Sequence, residues 1–386
     1  MRILFLAPQP FFAERGTPIA VRLTVETLAR FGHDVDLLTY HEGADVELPG
    51  VRHHRIDARP GMKSVPIGFS VSKLRCDAAM PPAAVRLLRR NSYDVIHAVE
   101  EAVFIAMILR RFANARVVYD VDSIMSDQIA EKWPAIGPLA AVLRMLEGWA
   151  FRRSDLVLPV CEALADRART YAEPNKVHVL PDVALAARPL GSAAEDLRRH
   201  VGPGRQLALY VGNLEEYQGF DLLLDGLAQL APERRCTLIA IGGTPEAVAR
   251  YTARTEAASI ASDVIFLGPR PLDHLQHYLH QADILCSPRR KGVNTPMKIY
   301  SYMASGRAIL ATDIQSHTQV LDASTAKLVE ATPSGLAEGL TELGKSASLR
   351  EALGRNAALR ARSDYSLAAF ERRLATAYRQ IIAKSA

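Results

Sequence analysis

The feature that most constrains this chain is a strand-to-helix alternation that runs its course twice. Each pass opens on a short continuous apolar run, RILFLAP near the start and QLALYVG from Gln206. Such a run suits a strand covered on both faces of a parallel sheet, since a sheet with one wet face would alternate apolar and polar residues. After the first run Ala20, Val21, Val25, Leu28 and Ala29 recur at helical spacing, and Gly32 closes the helix before DVDLLTY. The pattern continues through YDVIHAV, AVFIAMILRRF, ARVVYDVD, a helical stretch from Pro138 to Arg153, DLVLPV, a helix to Tyr171 and the strand VHVLPD. It then restarts with QLALYVG, FDLLLDGLAQL, CTLIAIGG, PEAVARYTARTEA, DVIFLGP, DHLQHYLHQA, DILCSP, NTPMKIYSYMASG and AILATD. From Pro333 onward the chain reads as helix, broken near Gly354 and Ser363–Ser366. Alternation of this kind predicts α/β architecture with doubly wound, Rossmann-like parallel sheets.

Length turns one sheet into two. At 386 residues the chain exceeds a single core, which stops growing by about 250–300 residues. An apolar share of 49% against 23% charged supplies two cores. The Ala-, Pro- and Gly-containing stretch after Pro181 separates the passes, so the predicted units are residues 1–187 and 206–365 joined by a linker, 188–205. Two doubly wound domains facing each other across a cleft would bring the carboxyl ends of both sheets together, where ligands of such sheets bind.

Other classes are excluded or disfavoured. Cys76, Cys161, Cys236 and Cys286 are far apart with no CxxC spacing, which fits isolated buried thiols. The opening run stops at prolines well short of a secretory core, and the longest uncharged apolar candidate, Val103 to Leu109, ends at Arg110 and Arg111. Cytoplasmic residence is therefore expected. The net charge of +5 and the arginines gathered in the first half, Arg86, Arg89, Arg90, Arg110, Arg111, Arg152 and Arg153, suit solvated helix faces or an anionic membrane surface. No zinc pattern or aromatic-basic motif accompanies them, so nucleic acid is not an expected partner.

Candidate chemistry lies in the loops that follow strands. Gly16 and Thr17 open the first helix, where free backbone amides could approach a phosphate or a sugar hydroxyl, although a plain turn explains them equally well. His97, Glu100 and Asp122 fall at strand ends on the presumed acceptor side, with helix capping as the alternative for the two carboxylates. In the second half Gly212 and Gly219 flank a loop whose Asn213 and Gln218 could donate to a diphosphate. Downstream, Arg289, Arg290 and Lys291 precede Asn294-Thr295-Pro296, with proline predicted at the first helical position, and Lys298 in the first turn. Positive charge beside free helix amides is an anion site.

Taken in order, RGTP followed by LARFGHDVDLLTY, DVIHAVEE, KVHVLPD, LYVGNLEEYQGFDLLL, QADILCSP, PMKIYSYMASGRAILATD and FERRLATAYRQII resemble the retaining glycosyltransferases of family 4 over nearly the whole chain. The resemblance implies a GT-B fold, with a final helix, 366–386, crossing back to the first domain. It implies a nucleotide-sugar donor on the second domain, no cofactor or metal, and Gly16 and Thr17 near donor phosphate or acceptor. Glu100 matches the carboxylate of a His-Glu acceptor-side motif, with Val99 in place of the histidine. Asn213 and Gln218 stand where the family carries arginine and lysine, and Lys291 and Ser301 where it carries two glutamates, which marks a subgroup. Lys291, Arg289 and Lys298 would supply the missing positive charge.

The function these readings imply is transfer of a sugar from a nucleotide-linked donor to a glycan or lipid-linked hydroxyl acceptor with retention, in cell-surface polysaccharide or glycolipid synthesis. The expected protein is cytoplasmic, or peripheral on the inner membrane face. The competing readings are a catalytically silent GT-B sugar-binding protein and a nucleotide-sugar epimerase.

Overall fold

The computed structural model describes residues 1–13, 16–58, 62, 65, 70–132, 137–184 and 194–383. They form two compact units, one of Met1–Pro181 with Glu371–Ala386 and the other of Asp182–Phe370. The linker expected at 188–205 lies outside the described residues as far as 193, and its remainder, with a 3-10 turn at Leu197–His200, belongs to the second unit.

The first unit runs β1 (Arg2–Leu6), α1 (Gly16–Arg30), β2 (Asp34–Thr39), β3 (Val51–Arg55), α2 (Val71–Arg90), β4 (Val95–Val99), α3 (Ala102–Ala113), β5 (Arg116–Val121), α4 (Met125–Lys132), α5 (Gly137–Arg153), β6 (Leu156–Pro159) and α6 (Glu162–Arg169). Its strands pair in parallel in the order β3-β2-β1-β4-β5-β6. The second unit runs β7 (Leu207–Val211), α7 (Phe220–Ala228), β8 (Thr237–Ile241), α8 (Pro245–Ala257), β9 (Val264–Gly268), α9 (Leu275–Gln281), β10 (Ile284–Ser287), α10 (Met297–Ser305), β11 (Ala308–Thr312), α11 (Gln315–Thr318), β12 (Lys327–Val329), α12 (Pro333–Lys345) and α13 (Ala347–Asp364). Its parallel order, β12-β11-β10-β7-β8-β9, is the same arrangement counted from its own first strand. Each sheet therefore reverses direction between its first and fourth strands, β1/β4 and β7/β10, and the crevice beyond that point is where doubly wound sheets hold ligands.

Three departures from the sequence reading have plain causes. Patterning passes over β3 and α2, because β3 is a half-buried edge strand with sequence VRHHR and α2 carries Pro81 and Pro82 inside it. VHVLPD is not a strand: it bridges β6 at Val177 alone, because Pro159 has no N–H to extend the ladder after His178 N donates to Val157 O. Gly354 does not break its helix, and α13 runs straight through it. A Cβ there would lie 2.1 Å from Gly306 O, so the glycine lets α13 cross closely over the end of α10.

A last helix, α14 (Leu367–Ala383), begins in the second unit and continues into the first. There Tyr378 is buried and Glu371 pairs with Arg30 at 2.8 Å.

Candidate functional site

Beyond the β7/β10 reversal of the second unit, the sequence-predicted donor residues converge. Gly219 occupies the left-handed region at φ 69°, and a Cβ there would fall 2.0 Å from Pro288 O, so only glycine lets this loop close against the end of β10. The closure brings Gln218 to Lys298, whose ammonium donates to Gln218 Oε1 at 3.4 Å. That ammonium also stands 4.3 Å from the centre of the Tyr210 ring, a cation–π contact, and next to Gly212. Surrounding protein and, secondarily, the Arg289 guanidinium lower its pKa to about 7. The residue as a whole is half-buried.

The start of α10 differs by one residue from expectation. Pro296 is the N-cap and Met297 the first helical residue, so Thr295 lies outside the helix and does not cap it. Thr295 is 3% exposed and its hydroxyl has no hydrogen-bond partner in the structure. The side-chain oxygen of Asn213 is likewise buried and unpartnered. A buried polar group left without a bond costs about 1–3 kcal/mol, so each of these two can take a hydrogen bond from a bound molecule.

Arg289 shapes the loop more than it offers charge. Its guanidinium donates to Lys291 O at 2.8 Å and to Asn294 O at 2.9 Å, and it lies over the Tyr217 ring. Arg290 pairs with Asp221 of α7. Lys291 is exposed, while Ser301 is buried one turn after Lys298 on α10. A buried network beneath the loop was not legible in the sequence. Thr312 Oγ1 donates to Arg289 O at 2.5 Å, and His317 Nδ1 donates to Thr312 O at 2.8 Å while its Nε2 accepts from Ser287 Oγ at 2.9 Å. Burial lowers the His317 pKa to about 3, so this ring is a neutral, fixed tautomer joining the ends of β10 and β11.

In the first unit Gly16 and Thr17 form the first turn of α1, and a Cβ on Gly16 would meet nothing, so its backbone stays open to approach. Glu100, just past β4, holds a left-handed backbone at φ 49° and accepts from Ser123 Oγ at 2.5 Å. A non-glycine residue in that region is a strained position of the kind that gathers at functional sites. Asp122 lies at the neighbouring end of β5, partly buried. Around Glu100 stand side chains that sequence reading missed. Lys73 of α2 pairs with Glu101, whose pKa burial and Glu100 push up to about 7, and Tyr40 donates to Asp77 of the same helix.

His97 does not belong to this edge. It is wholly buried, stacked at 4.1 Å on Phe5, with Nε2 donating to Asp120 at 3.1 Å and Nδ1 accepting from Tyr378 at 2.6 Å. Both nitrogens are committed, because the carboxylate can only accept and so fixes the tautomer. The residue fastens α14 to the sheet rather than meeting an acceptor.

Comparison with known proteins gives these units an ancestry. Residues 15–182 match the family described as glycosyl transferase 4-like domain, and residues 205–346 the family of glycosyl transferases group 1. The D-inositol 3-phosphate glycosyltransferase of Corynebacterium diphtheriae is 27% identical, over 94% of this chain and 89% of that protein. The phosphatidyl-myo-inositol mannosyltransferase of Mycobacterium tuberculosis is 26% identical, over 96% and 94% respectively. Sucrose-phosphate synthase from Thermosynechococcus elongatus shares the fold with a TM-score of 0.81 at 19% identity, covering 99% of each chain. Anabaena HepE, solved in complex with UDP, does so with a TM-score of 0.74 at 15% identity, covering 98% of this chain and 99% of that one. Both halves are matched in order and the relatives align over nearly their full lengths, so the chain belongs to the family 4 glycosyltransferases and is a glycosyltransferase of the GT-B fold.

Proposed function

We propose that this glycosyltransferase moves a sugar from a nucleoside-diphosphate donor to a hydroxyl of a polyol, glycan or lipid-linked acceptor, with retention and without a metal, in glycolipid or polysaccharide synthesis. The names of its relatives support the acceptor class, since two act on inositol phosphates or phosphatidylinositol. HepE structures with UDP and UDP-glucose support a nucleotide-sugar donor.

The observation that carries the reading is the Lys298 ammonium beside Gln218. Asn213 and Gln218 occupy places where the family resemblance implies arginine and lysine, and Lys298 returns a positive charge to that spot from another element. The donor diphosphate would lie on the Lys298 ammonium and the first amides of α10, with the Thr295 hydroxyl as a further donor. As the bond from the anomeric carbon to the phosphate oxygen breaks, its electron pair stays on the diphosphate, and this site neutralises the growing charge. The acceptor hydroxyl attacks the same sugar face, its proton leaving on the departing phosphate oxygen. Glu100, held by Ser123, is the carboxylate assigned to an acceptor hydroxyl.

A thermal-shift panel of UDP-, GDP-, dTDP- and ADP-sugars with and without EDTA tests this directly. A ligand at 100 times its dissociation constant stabilises by about 2.7 kcal/mol, an easily read shift. One nucleotide that shifts the melting point regardless of EDTA names the donor class. No shift with any of them overturns the donor assignment, and a shift without product or donor hydrolysis makes the protein a silent binder.

A further inference from the structure

The first unit carries an apolar stripe that its own core does not use. Along α5 the inward positions Ala140, Ala150 and Phe151 are buried together with Glu147, which accepts from the backbone amide of Ser126 at 3.0 Å and from its hydroxyl. The outward positions are Val142, Met145, Leu146 and Trp149, all exposed, Met145 by 62%. A surface helix of a freely soluble domain shows the reverse, apolar inward and charged outward. The neighbouring α3 packs against α5 and exposes Ile108 by 62% and Phe112 by 82%. Arg110 Nη1 donates to Arg153 O at 2.6 Å, so the ends of the two helices meet. Six large apolar side chains on two adjoining helices exceed the single exposures that any protein surface shows.

Arginines border the stripe. Arg111 lies in the last turn of α3, Arg152 and Arg153 end α5, and all three are exposed. Arg144 lies within α5, and Glu147 is the only acidic residue in either helix. The helix dipole accounts for basic residues in a last turn, but not for an outward tryptophan, leucine and methionine.

We propose that the outward face of α3 and α5 docks on an anionic lipid bilayer, with α5 lying in the plane of the interface. The apolar side chains enter the boundary between headgroups and acyl chains, and the arginines meet lipid phosphates. Tryptophan favours that depth. Two copies of this chain joined by a two-fold axis would press the same arginines against one another, a like-charge contact that a bilayer of opposite sign avoids. No helix among the described residues is long and apolar enough to cross a membrane, so the contact is peripheral. The inference deepens the lipid-linked acceptor of the proposed reaction but rests on this surface alone.

Trp133→Phe leaves Trp149 as the one tryptophan of the chain. Titrating that variant with phosphatidylcholine vesicles containing phosphatidylglycerol should shift Trp149 emission to the blue and carry the protein upward in a flotation gradient. Pure phosphatidylcholine should do far less, and salt should weaken the effect. Arg152→Ala with Arg153→Ala should weaken vesicle binding roughly 30-fold, at about fivefold per arginine. Met145→Ser with Leu146→Ser should abolish the blue shift. Both double variants should keep the wild-type melting point, which separates lost docking from lost folding. The proposal is overturned by vesicles that never bind, by binding that survives both double variants, or by a solution dimer that Met145→Ser with Leu146→Ser dissolves in place of vesicle binding. Flotation without any nucleotide-induced thermal shift would sink the donor assignment and leave this docking face standing.

Discussion

At Lys298 the local environment and the proposed task oppose each other, and the opposition is measurable. Crowding and Arg289 lower the ammonium pKa to about 7, while a bound diphosphate would raise it. Binding should therefore take up a proton. Affinity for the free nucleoside diphosphate is full below pH 7 and falls as pH rises through the free-enzyme value, until it reaches the higher value of the complex. Isothermal titration between pH 6 and 9 should show this decline, and Lys298→Ala should flatten it. A wild-type affinity that does not change over that range means the ammonium is not at the diphosphate. In turnover, Lys298→Ala should lower kcat roughly 100- to 1000-fold with folding retained, the usual cost of losing one transition-state charge donor. Glu100→Gln keeps the shape and the bond from Ser123 but removes a charge, so it should act through the acceptor and leave nucleotide affinity unchanged. Residues of this kind were legible because they follow apolar runs, where doubly wound sheets end. Lys73, Asp77 and Tyr40 were not, since two of them ride on a helix whose periodicity Pro81 and Pro82 obscure. His97 was misread because it sits at the middle of β4, two residues short of the strand end, where every position of the strand is buried.

Elements show a second kind of dependence. The loop between β10 and α10 carries Arg289, Lys291, Asn294 and Thr295, and its backbone hangs on Thr312 and His317 beneath it. His317→Ala removes the ring that joins Ser287 to β11 and leaves a buried hydroxyl unsatisfied, at a cost of about 1–3 kcal/mol. Urea unfolding should register that loss, and donor KM should rise more than kcat falls, because His317 positions the loop without touching substrate. The crossing of α13 over α10 is stricter. Gly354→Ala forces a methyl to within 2.1 Å of Gly306 O, so the helices must part, and a destabilisation of about 1–3 kcal/mol is expected in the same assay. A variant as stable as wild type would show that the crossing is looser than these distances imply. The sequence presents Gly354 as a helix breaker because glycine has the same composition signal in both roles. Only the partner helix distinguishes them, and that partner is a contact distant in sequence.

At the scale of the whole molecule the repeated rhythm was the most legible feature, since two parallel sheets follow from patterns of burial that each run carries locally, whereas their shared strand order is set by pairings distant in sequence. Where one unit stops was less so, because α14 is a single uninterrupted helix whose opening residues belong to the second unit and whose remainder completes the first. Its amphipathic pattern does not change where the units do. A fragment of residues 1–181 should therefore be markedly less stable than the same unit within the full chain, and a peptide spanning 367–383 should restore part of the difference in a thermal melt. Restoration should fail when the peptide carries Tyr378→Phe, which takes away the hydroxyl that His97 accepts from.

That shared helix also sets an order of events during synthesis. The first unit emerges from the ribosome long before residue 371, and at about 5–20 residues per second the gap lasts tens of seconds or less. Throughout that interval the His97 ring and the sheet face around it lack their cover, so the nascent chain offers an apolar surface to whatever holds unfinished proteins. The unit is complete only when the later part of α14, from Glu371 to Ala383, closes over a sheet folded before it.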